Sequence, residues 1–134
     1  MIRRFKWWEP LYPHVHWTDP VTGYEIQVRF NGYTGTWCGY VVLPEEHPWV
    51  VDQREFERDD KHVRLDIHSM VRVHGGWTFY SENTYGFDCA HYMDYQPAQP
   101  YNKVDPWGHP LIYWTFAMVR DEILRAAREI HALR

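Results

Sequence analysis

Two neighbouring segments of β character are the strongest constraint on the fold of this chain. At residues 24–30, apolar and polar side chains alternate, and this period of two is typical of a strand that buries one face. The pair Asn31-Gly32 follows as a turn, and residues 36–43 return as a second strand. We therefore predict an antiparallel β-hairpin over residues 24–43.

The C-terminal segment has the pattern of an amphipathic helix. Its apolar residues recur at intervals of three and four, which places them in one stripe along a helix. The stripe consists of Tyr113, Phe116, Val119, Ile123, Ala126, Ile130 and Leu133. We predict a helix over residues 112–133 that lies with this stripe on one face of the sheet.

The segments between the hairpin and the helix indicate a longer sheet. The charged stretch 52–61 is interpreted as an exposed loop or a short helical turn, and alternation returns at residues 63–67. Residues 70–80 continue the β character around a Gly-Gly pair, and residues 87–91 form a further short strand after a polar connection. Residues 1–20 lack periodicity and are predicted to form an irregular arm packed by its tryptophans.

Length and composition favour one domain of the α+β class. A chain of 134 residues buries roughly two thirds of its unfolded surface, enough for a single core. The aromatic share of 18% is high, and because Trp and Tyr have polar tips, some of these rings are expected to line a surface or a pocket. We predict a single domain over residues 1–134, with the irregular arm at 1–20, a mostly antiparallel sheet at 24–91 and the C-terminal amphipathic helix at 112–133 packed on one face.

Charge and cysteine content exclude several functional classes. The formal net charge of -4 opposes binding to long nucleic acids, which requires a basic face that releases counterions. No run of about 18 apolar residues is present, so no membrane span is predicted. With only two cysteines, Cys38 and Cys89, a disulfide framework is not expected, and the sequence indicates a cytosolic protein.

The stretch VHGGWTFYSENTYGFDCAH, residues 73–91, holds most of the residues suited to chemistry. If residues 70–80 and 87–91 pair as neighbouring strands, His74 and His91 approach each other at the open end of that hairpin. Two imidazoles that titrate near neutral pH, oriented by a carboxylate, are what acid-base catalysis requires. The available carboxylates are Asp88 and Asp94.

Strand alternation divides these residues into two sets. It places Cys89 and His91 on one face of the strand and Asp88 on the other. The set of His74, Cys89 and His91 then has the composition of a three-ligand zinc site with a position open for water. One alternative is a buried structural Cys89 beside a hydrogen-bonded histidine, which is several times more frequent. Another is Cys89 as a nucleophile activated by a histidine, which the strand context disfavours.

A third hypothesis uses the aromatic residues and the Gly-Gly pair. Rings beside histidines can sandwich a nucleobase, with stacking worth roughly 1–3 kcal/mol per base. Gly75-Gly76 permits either a close approach of the backbone to a ligand or a β-bulge, and the bulge is the more common of the two. The predicted ligand-binding residues are His47, His74, Gly75, Gly76, Trp77, His91 and Tyr92.

Four segments resemble a group of short phage and prophage proteins. They are GYVVLPEEHPW, VHGGWTFYSE, YGFDCAHYMD and the helix that begins near YWTFAMVRDEI, and the likeness covers about two thirds of the chain, from Gly39 onward. The shared elements are GYV-LP-HP, HGG-T, FDCAH and a terminal amphipathic helix. The resemblance implies a bacteriophage origin and a single small domain, although the group has a small residue where this chain has Tyr92. The matching positions are His47, His74, Gly75, Gly76, Asp88, Cys89, His91 and Asp94.

The leading functional hypothesis is a phage anti-defence protein in the cytoplasm of the infected bacterial host. It sequesters a nucleotide-like signal or inhibits a host defence protein, without catalysis and without a cofactor. A structural or assembly accessory protein of the phage is an alternative. Exposed rings at residues 101–107 are expected to form a surface for a partner or a homo-oligomer.

A second alternative is a small hydrolase of the same nucleotide-like signal. Its acid and base are His74 and His91. Either Asp88 or Asp94 orients them, and zinc is an optional cofactor.

Overall fold

Five strands and three helices make up the described part of the chain, which in this computed structural model comprises residues 6–59, 67–99 and 107–133, except the side chains of Ile67 and His68. The strands are β1 (His14–Thr18), β2 (Glu25–Asn31), β3 (Thr36–Val42), β4 (Phe79–Ser81) and β5 (Thr84–Phe87), and the helices are α1 (Pro48–Arg58), α2 (Ile67–Met70) and α3 (Phe116–Ala132). The strands form an open antiparallel sheet in the order β1-β2-β3-β5-β4. This architecture confirms the predicted α+β class, with a mostly antiparallel sheet and a C-terminal helix.

The predicted hairpin is present as strands β2 and β3. Ile26 pairs with Val41, and the side chains of Ile26, Val28 and Val41 are fully buried. The polar residues between the apolar ones of β2 are only partly buried, so the period of two predicted the buried face correctly. Gly35 completes the turn between the strands with a positive φ of 75°.

The N-terminal arm contains a strand, so the irregular arm predicted at residues 1–20 is wrong in part. Strand β1 pairs antiparallel with β2, and His14 lies opposite Arg29. β1 is an edge strand in which Val15 and Trp17 are half-buried and alternate with exposed polar residues, but this alternation covers only five residues, too few to identify a strand in the sequence. Its exposed histidines, His14 and His16, have ring centroids 5.6 Å apart.

Helix α1 is longer than the exposed loop or short helical turn predicted over residues 52–61, whose last residues lie outside the described part of the chain. The helix begins at Pro48. The first N–H groups of a helix have no acceptor within the helix, so a proline at this position loses no hydrogen bond. His47 caps it, because its Nδ1 accepts the Trp49 N–H at 3.1 Å. Trp49 and Val50 are buried and anchor the first turn in the core. The prolines and charges that indicated a loop belong to a helix start and its solvated face.

The sheet continues beyond the hairpin with two short strands, which differ in position from the long strand predicted at 70–80 and the short strand predicted at 87–91. β4 and β5 pair with each other, and β5 also pairs with β3. Residues 71–78 contain no strand, because Gly75 and Gly76 adopt positive φ angles of 69° and 85° and turn the chain.

Strand β5 ends at Phe87 because the next residues form a side-chain turn. The Asp88 carboxylate accepts the N–H of Ala90 at 3.1 Å, and this local bond competes with strand pairing. The strand predicted at 87–91 is therefore wrong, and so is the alternation of faces that depends on it. The alternation predicted at 63–67 lies outside the described residues except for its last residue, which begins α2.

Helix α3 packs on one face of the sheet, against β2 and β3, as its apolar stripe predicts. It lies within the predicted range, and Thr115 caps its start by accepting the Met118 N–H at 3.2 Å. Its fully buried residues are Val119, Ile123, Ala126, Ala127 and Ile130. Among the described residues, no helix has the length and apolar character needed to cross a bilayer.

The loop after β1 is tied to α3 through Asp19. This buried carboxylate accepts hydrogen bonds from Arg128 Nη2 at 3.1 Å and from Thr22 Oγ1 at 2.9 Å. Burial raises the pKa of Asp19, but the hydrogen bonds from Arg128, Thr22 and the Val21 N–H outweigh burial, so its pKa lies below the ordinary value. The ionised form of Asp19 is therefore the form that the fold stabilises.

Candidate functional site

His74 lies on a tight turn that is held from both sides. The Gly76 N–H donates to the Val73 carbonyl at 2.9 Å and closes the turn. From helix α3, the Glu122 carboxylate accepts the backbone N–H of His74 at 2.9 Å. The imidazole stacks on Trp114 with ring centroids 4.0 Å apart and an interplanar angle of 27°. The backbone and the ring plane of His74 are therefore both fixed.

His91 lies on the turn that follows β5. Its backbone N–H donates to Asp94 Oδ2 at 2.9 Å, and the Asp94 N–H donates to the His91 carbonyl at 3.0 Å. Asp94 is held to the segment before α3 by a parallel bridge to Ile112. Because Asp94 is only 2% exposed, its carboxylate depends on protein groups rather than water for its hydrogen bonds.

The side chains of His74 and His91 meet at this buried carboxylate. Asp94 Oδ1 lies 2.7 Å from His74 Nε2, and Asp94 Oδ2 lies 3.2 Å from His91 Nδ1. The other nitrogen of the second ring, His91 Nε2, lies 3.1 Å from Asp88 Oδ1. These four residues, called the His/Asp centre below, form a continuous chain in the order His74, Asp94, His91, Asp88. Side-chain exposures of 22% for His74 and 30% for His91 leave both rings accessible to solvent.

Asp88 belongs to the centre, although strand alternation placed it on the opposite face from His91. The turn after β5 brings its carboxylate back to His91. Thr78 Oγ1 donates to Asp88 Oδ2 at 3.1 Å, and the Ala90 N–H donates to Oδ1. These two bonds orient the carboxylate so that Oδ1 faces the histidine ring.

Cys89 does not join the centre. It is buried in the apolar core, and burial together with the negative charge of Asp94 raises the pKa of its thiol well above the ordinary value. A thiol held in its protonated form is a poor nucleophile. The predicted zinc set of His74, Cys89 and His91 is replaced by His74, His91 and Asp94, whose ligand atoms all lie within 4.8 Å of one another.

Gly75 accommodates the ring of His91 rather than a ligand. A Cβ at position 75 would overlap the His91 imidazole. At Gly76, a Cβ would meet no atom within 4 Å. The Gly-Gly pair is therefore not the predicted β-bulge: it is a turn whose first glycine allows close contact between the backbone and an imidazole.

The remaining predicted ligand-binding residues are dispersed. Trp77 is buried, and its Nε1 hydrogen is donated to the Val71 carbonyl at 2.9 Å. His47 is buried as the cap of α1. Tyr92 is 59% exposed and follows His91 directly, so it is the accessible aromatic ring next to the centre in sequence.

No protein-family model, curated protein or solved structure matches this chain. The resemblance to short phage proteins therefore stays an expectation. A functional assignment therefore has to rest on the chemistry of the His/Asp centre.

Trp114 and Glu122 are parts of the site that sequence reasoning missed. The predicted helix begins at residue 112 and therefore includes Trp114. Threonine is a favoured N-cap residue, and a helix that begins after Thr115 leaves the Trp114 ring outside it. Glu122 lies off the apolar stripe, where a solvated charge is expected. No spacing signal connects either residue to His74.

The charge around the centre favours cations over free anions. Asp88 and Asp94 contact the two rings directly, whereas Glu122 contacts the backbone of His74 and is paired with Arg125 at 2.9 Å. Two carboxylates at such short range repel a free phosphate group. The accessible nitrogens and Asp94 can instead hold a water molecule or a divalent cation, for which imidazole and carboxylate are suitable ligands.

Proposed function

We propose that this protein is a small hydrolase that uses the His/Asp centre to act on a nucleotide-like signal, as a phage anti-defence factor in the cytoplasm of the infected host. The observation that supports this most strongly is the buried carboxylate of Asp94 between two accessible imidazoles. In hydrolysis, the oxygen of a water molecule bonds to the atom under attack, and the leaving group takes up a proton. An oriented cluster of histidines and carboxylates supplies the groups that activate this water.

The burial of Asp94 supports a function at this position. An ionised carboxylate removed from water costs several kcal/mol unless hydrogen bonds compensate for the loss. Asp94 is compensated by the His91 N–H and by the rings of His74 and His91. A turn alone needs no buried charge, so the arrangement is better explained by a requirement to hold the two rings.

Both rings are positioned in advance, which is more typical of catalysis than of adaptable binding. His74 is fixed by an aromatic stack and by Asp94. His91 lies between Asp88 and Asp94 and rests against Gly75. Each ring therefore has one orientation in which all of its contacts are made.

Sequestration without catalysis has less support. Of its two predicted stacking rings, Trp77 is buried in the core and only Tyr92 is exposed, and its predicted backbone cradle, Gly75, is covered by His91. His74 and His91, whose imidazoles are suited to acid-base chemistry, are partly exposed.

The phage setting and the substrate class are supported by the sequence. The HGG-T element supplies His74 and Gly75, and the segment that begins with FDCAH supplies Asp88, His91 and Asp94. The segments that resemble motifs of short phage and prophage proteins therefore contain the residues of the centre. Because bacterial defences signal through modified nucleotides, hydrolysis of such a signal is the role that we favour.

Turnover of a nucleotide panel tests this function. Purified protein is incubated with cyclic and ADP-ribose-type nucleotides and heat-denatured, and the recovered nucleotide is identified by chromatography. We expect conversion by the wild type and by a His14→Ala/His16→Ala variant, which changes only the exposed pair on β1. We expect none by His91→Ala or Asp94→Asn. Intact nucleotide together with a raised melting temperature would support sequestration instead.

An apolar surface at the N-terminus favours a second candidate, inhibition of a host protein. A cleft of about 490 Å³ is lined by Trp8, Glu9, Pro10, Leu11, Pro13, Phe30 and Gly32. Leu11 and Tyr12 are 81% and 75% exposed. Grouped apolar side chains at a surface mark sites of protein contact. Of the surface predicted at 101–107, only Trp107 lies within the described residues, and it is exposed.

Phage infection of a host that carries the defence separates the two candidates. If the protein is a hydrolase, His91→Ala abolishes protection of the phage and Leu11→Asp retains it. If the protein is an inhibitor, the pattern is reversed, because a charge at Leu11 disrupts an apolar contact. Leu11 is largely exposed, so its replacement leaves the core intact.

A further inference from the structure

Three ligand atoms of the His/Asp centre are grouped closely enough to hold one metal ion. One ring nitrogen of His74, one of His91 and a carboxylate oxygen of Asp94 all lie within 4.8 Å of one another, and the nitrogens that face Asp94 are His74 Nε2 and His91 Nδ1. The contacts of the two rings with Asp94 measure 2.7 and 3.2 Å. Ligand atoms around a tetrahedral zinc ion, with bonds of about 2.0–2.1 Å, are spaced by roughly 3.3 Å. The two contacts with Asp94 are therefore close to the spacing of ligand atoms in a zinc site.

We infer that the centre binds one divalent transition-metal ion of the zinc class through these three atoms. This inference rests on the proposed hydrolase, in which the ion would activate the attacking water. Two imidazoles and one carboxylate favour zinc, cobalt or nickel over magnesium and calcium, which prefer oxygen ligands alone. Three protein ligands leave the fourth tetrahedral position for water, which is the arrangement of catalytic zinc sites.

Asp88 is placed to accept a hydrogen bond from the ring nitrogen of His91 that does not bind the metal, as carboxylates commonly do beside metal-binding histidines. With the ion at Nδ1, His91 keeps its hydrogen on Nε2 and donates it to Asp88 Oδ1, 3.1 Å away. Asp88 is held in turn by Thr78 and by the N–H of Ala90. A carboxylate in this position fixes the tautomer and the orientation of the ring, and its loss typically weakens metal binding about 10- to 100-fold.

Charge balance also favours a cation. Asp88 and Asp94 place two negative charges against the rings, while the charge of Glu122 is paired with Arg125. A divalent ion bound by neutral imidazoles compensates both carboxylates. No thiolate takes part, because Cys89 is buried away from the three ligand atoms.

Titration of the full chain with metal tests this site. Protein made without a His tag is stripped with a chelator and titrated with Zn²⁺ or Co²⁺ by calorimetry. We expect one ion per chain, a raised melting temperature and a Co²⁺ visible spectrum of low coordination number without a thiolate charge-transfer band. Wild-type binding no tighter than that of a His74→Ala/His91→Ala variant would overturn the inference, and so would a thiolate band.

Matched variants show where the ion binds. Asp88→Asn keeps the size of the side chain and is expected to weaken Zn²⁺ binding about 10- to 100-fold. Asp94→Asn removes a ligand and is expected to weaken it further. His14→Ala/His16→Ala, which removes the exposed pair on β1, should bind like the wild type. Wild-type affinity in Asp88→Asn, or loss of the ion in the β1 variant, would overturn the site. If Asp94→Asn does not fold, the Asp88→Asn titration and the wild-type Co²⁺ spectrum still decide.

Two outcomes separate the metal site from the hydrolase. Stoichiometric Zn²⁺ binding without turnover of any nucleotide supports the metal site and contradicts the hydrolase. Turnover by chelator-stripped protein, with no zinc bound, supports the hydrolase and overturns the inference that the ion activates water.

Discussion

Gly75 lies in direct contact with the imidazole ring of His91, and no side chain at position 75 fits beside that ring. The glycine of the HGG element is therefore a packing requirement of the histidine in the FDCAH element. This contact holds together two segments that are separated by strands β4 and β5. The centre depends on the shape of the Gly75 turn as much as on its own hydrogen bonds.

Gly75→Ala should disable the His/Asp centre, whereas Gly76→Ala should not. Both positions have positive φ angles, so each alanine costs about 1–2 kcal/mol of backbone strain. Only at position 75 does the added methyl group displace His91. Denaturant unfolding should show a larger loss for Gly75→Ala, and Zn²⁺ titration should show loss of binding in that variant alone. Equal behaviour of the two variants would contradict the role of Gly75.

Glu122 should position His74 through its backbone. Glu122→Ala leaves the His74 N–H without its acceptor and should lower the free energy of unfolding by about 1–3 kcal/mol and weaken Zn²⁺ binding. Glu122→Gln retains an acceptor oxygen and should keep most of both. Glu129→Ala, which removes another partner of Arg125 but no contact with His74, is the control. An effect of Glu129→Ala on Zn²⁺ binding as large as that of Glu122→Ala would argue against this role.

Cys89 should matter for stability and not for the metal. Cys89→Ser buries a hydroxyl group in the apolar core and should lower the free energy of unfolding by about 1–3 kcal/mol. Cys89→Ala adds no polar group and isolates the effect of lost volume. Both variants should keep the Zn²⁺ stoichiometry of the wild type, measured at a temperature where they are folded. Loss of zinc from folded Cys89→Ala would restore Cys89 to the ligand set.

Asp19→Asn should remove part of the acid sensitivity of the fold. Because the folded-state pKa of Asp19 lies below the ordinary value, the ionised carboxylate stabilises the fold at neutral pH, and this contribution is lost as the pH falls below about 4. The variant should lose about 1–3 kcal/mol of unfolding free energy near neutral pH, with a smaller difference in acid. Asp121→Asn, which changes an exposed carboxylate of α3, should change little. A pH-independent difference would show that Asp19 acts through packing alone.

The sequence correctly predicted the elements in which apolar residues recur at one regular interval. Alternation at residues 24–30 gave the β2–β3 pair, and the apolar stripe gave α3. Helix α1 was not predicted, because the residues that mark its start, His47 and Pro48, are also typical of a loop. Strand β1 was not predicted because its alternation of apolar and polar residues covers only five residues, between Pro13 and Pro20.

The sequence also predicted that His74 and His91 lie together, and their ring centroids are 5.8 Å apart. Turns bring them together rather than the predicted paired strands. The turn at Asp88 depends on one side-chain hydrogen bond, which no hydrophobic pattern encodes. The burial of Asp94 depends on its bridge to Ile112, a distant segment that carries no signal in the local sequence.

The most direct test of hydrolysis at the His/Asp centre is to follow heavy oxygen from water into the product. Zinc-loaded protein is incubated with the nucleotide panel in water labelled with heavy oxygen, and the masses of the recovered nucleotides are measured by mass spectrometry. We predict a product that contains the labelled oxygen with the wild-type protein and none with Asp94→Asn. Recovery of only intact, unlabelled nucleotide from the wild-type protein would contradict the proposed function.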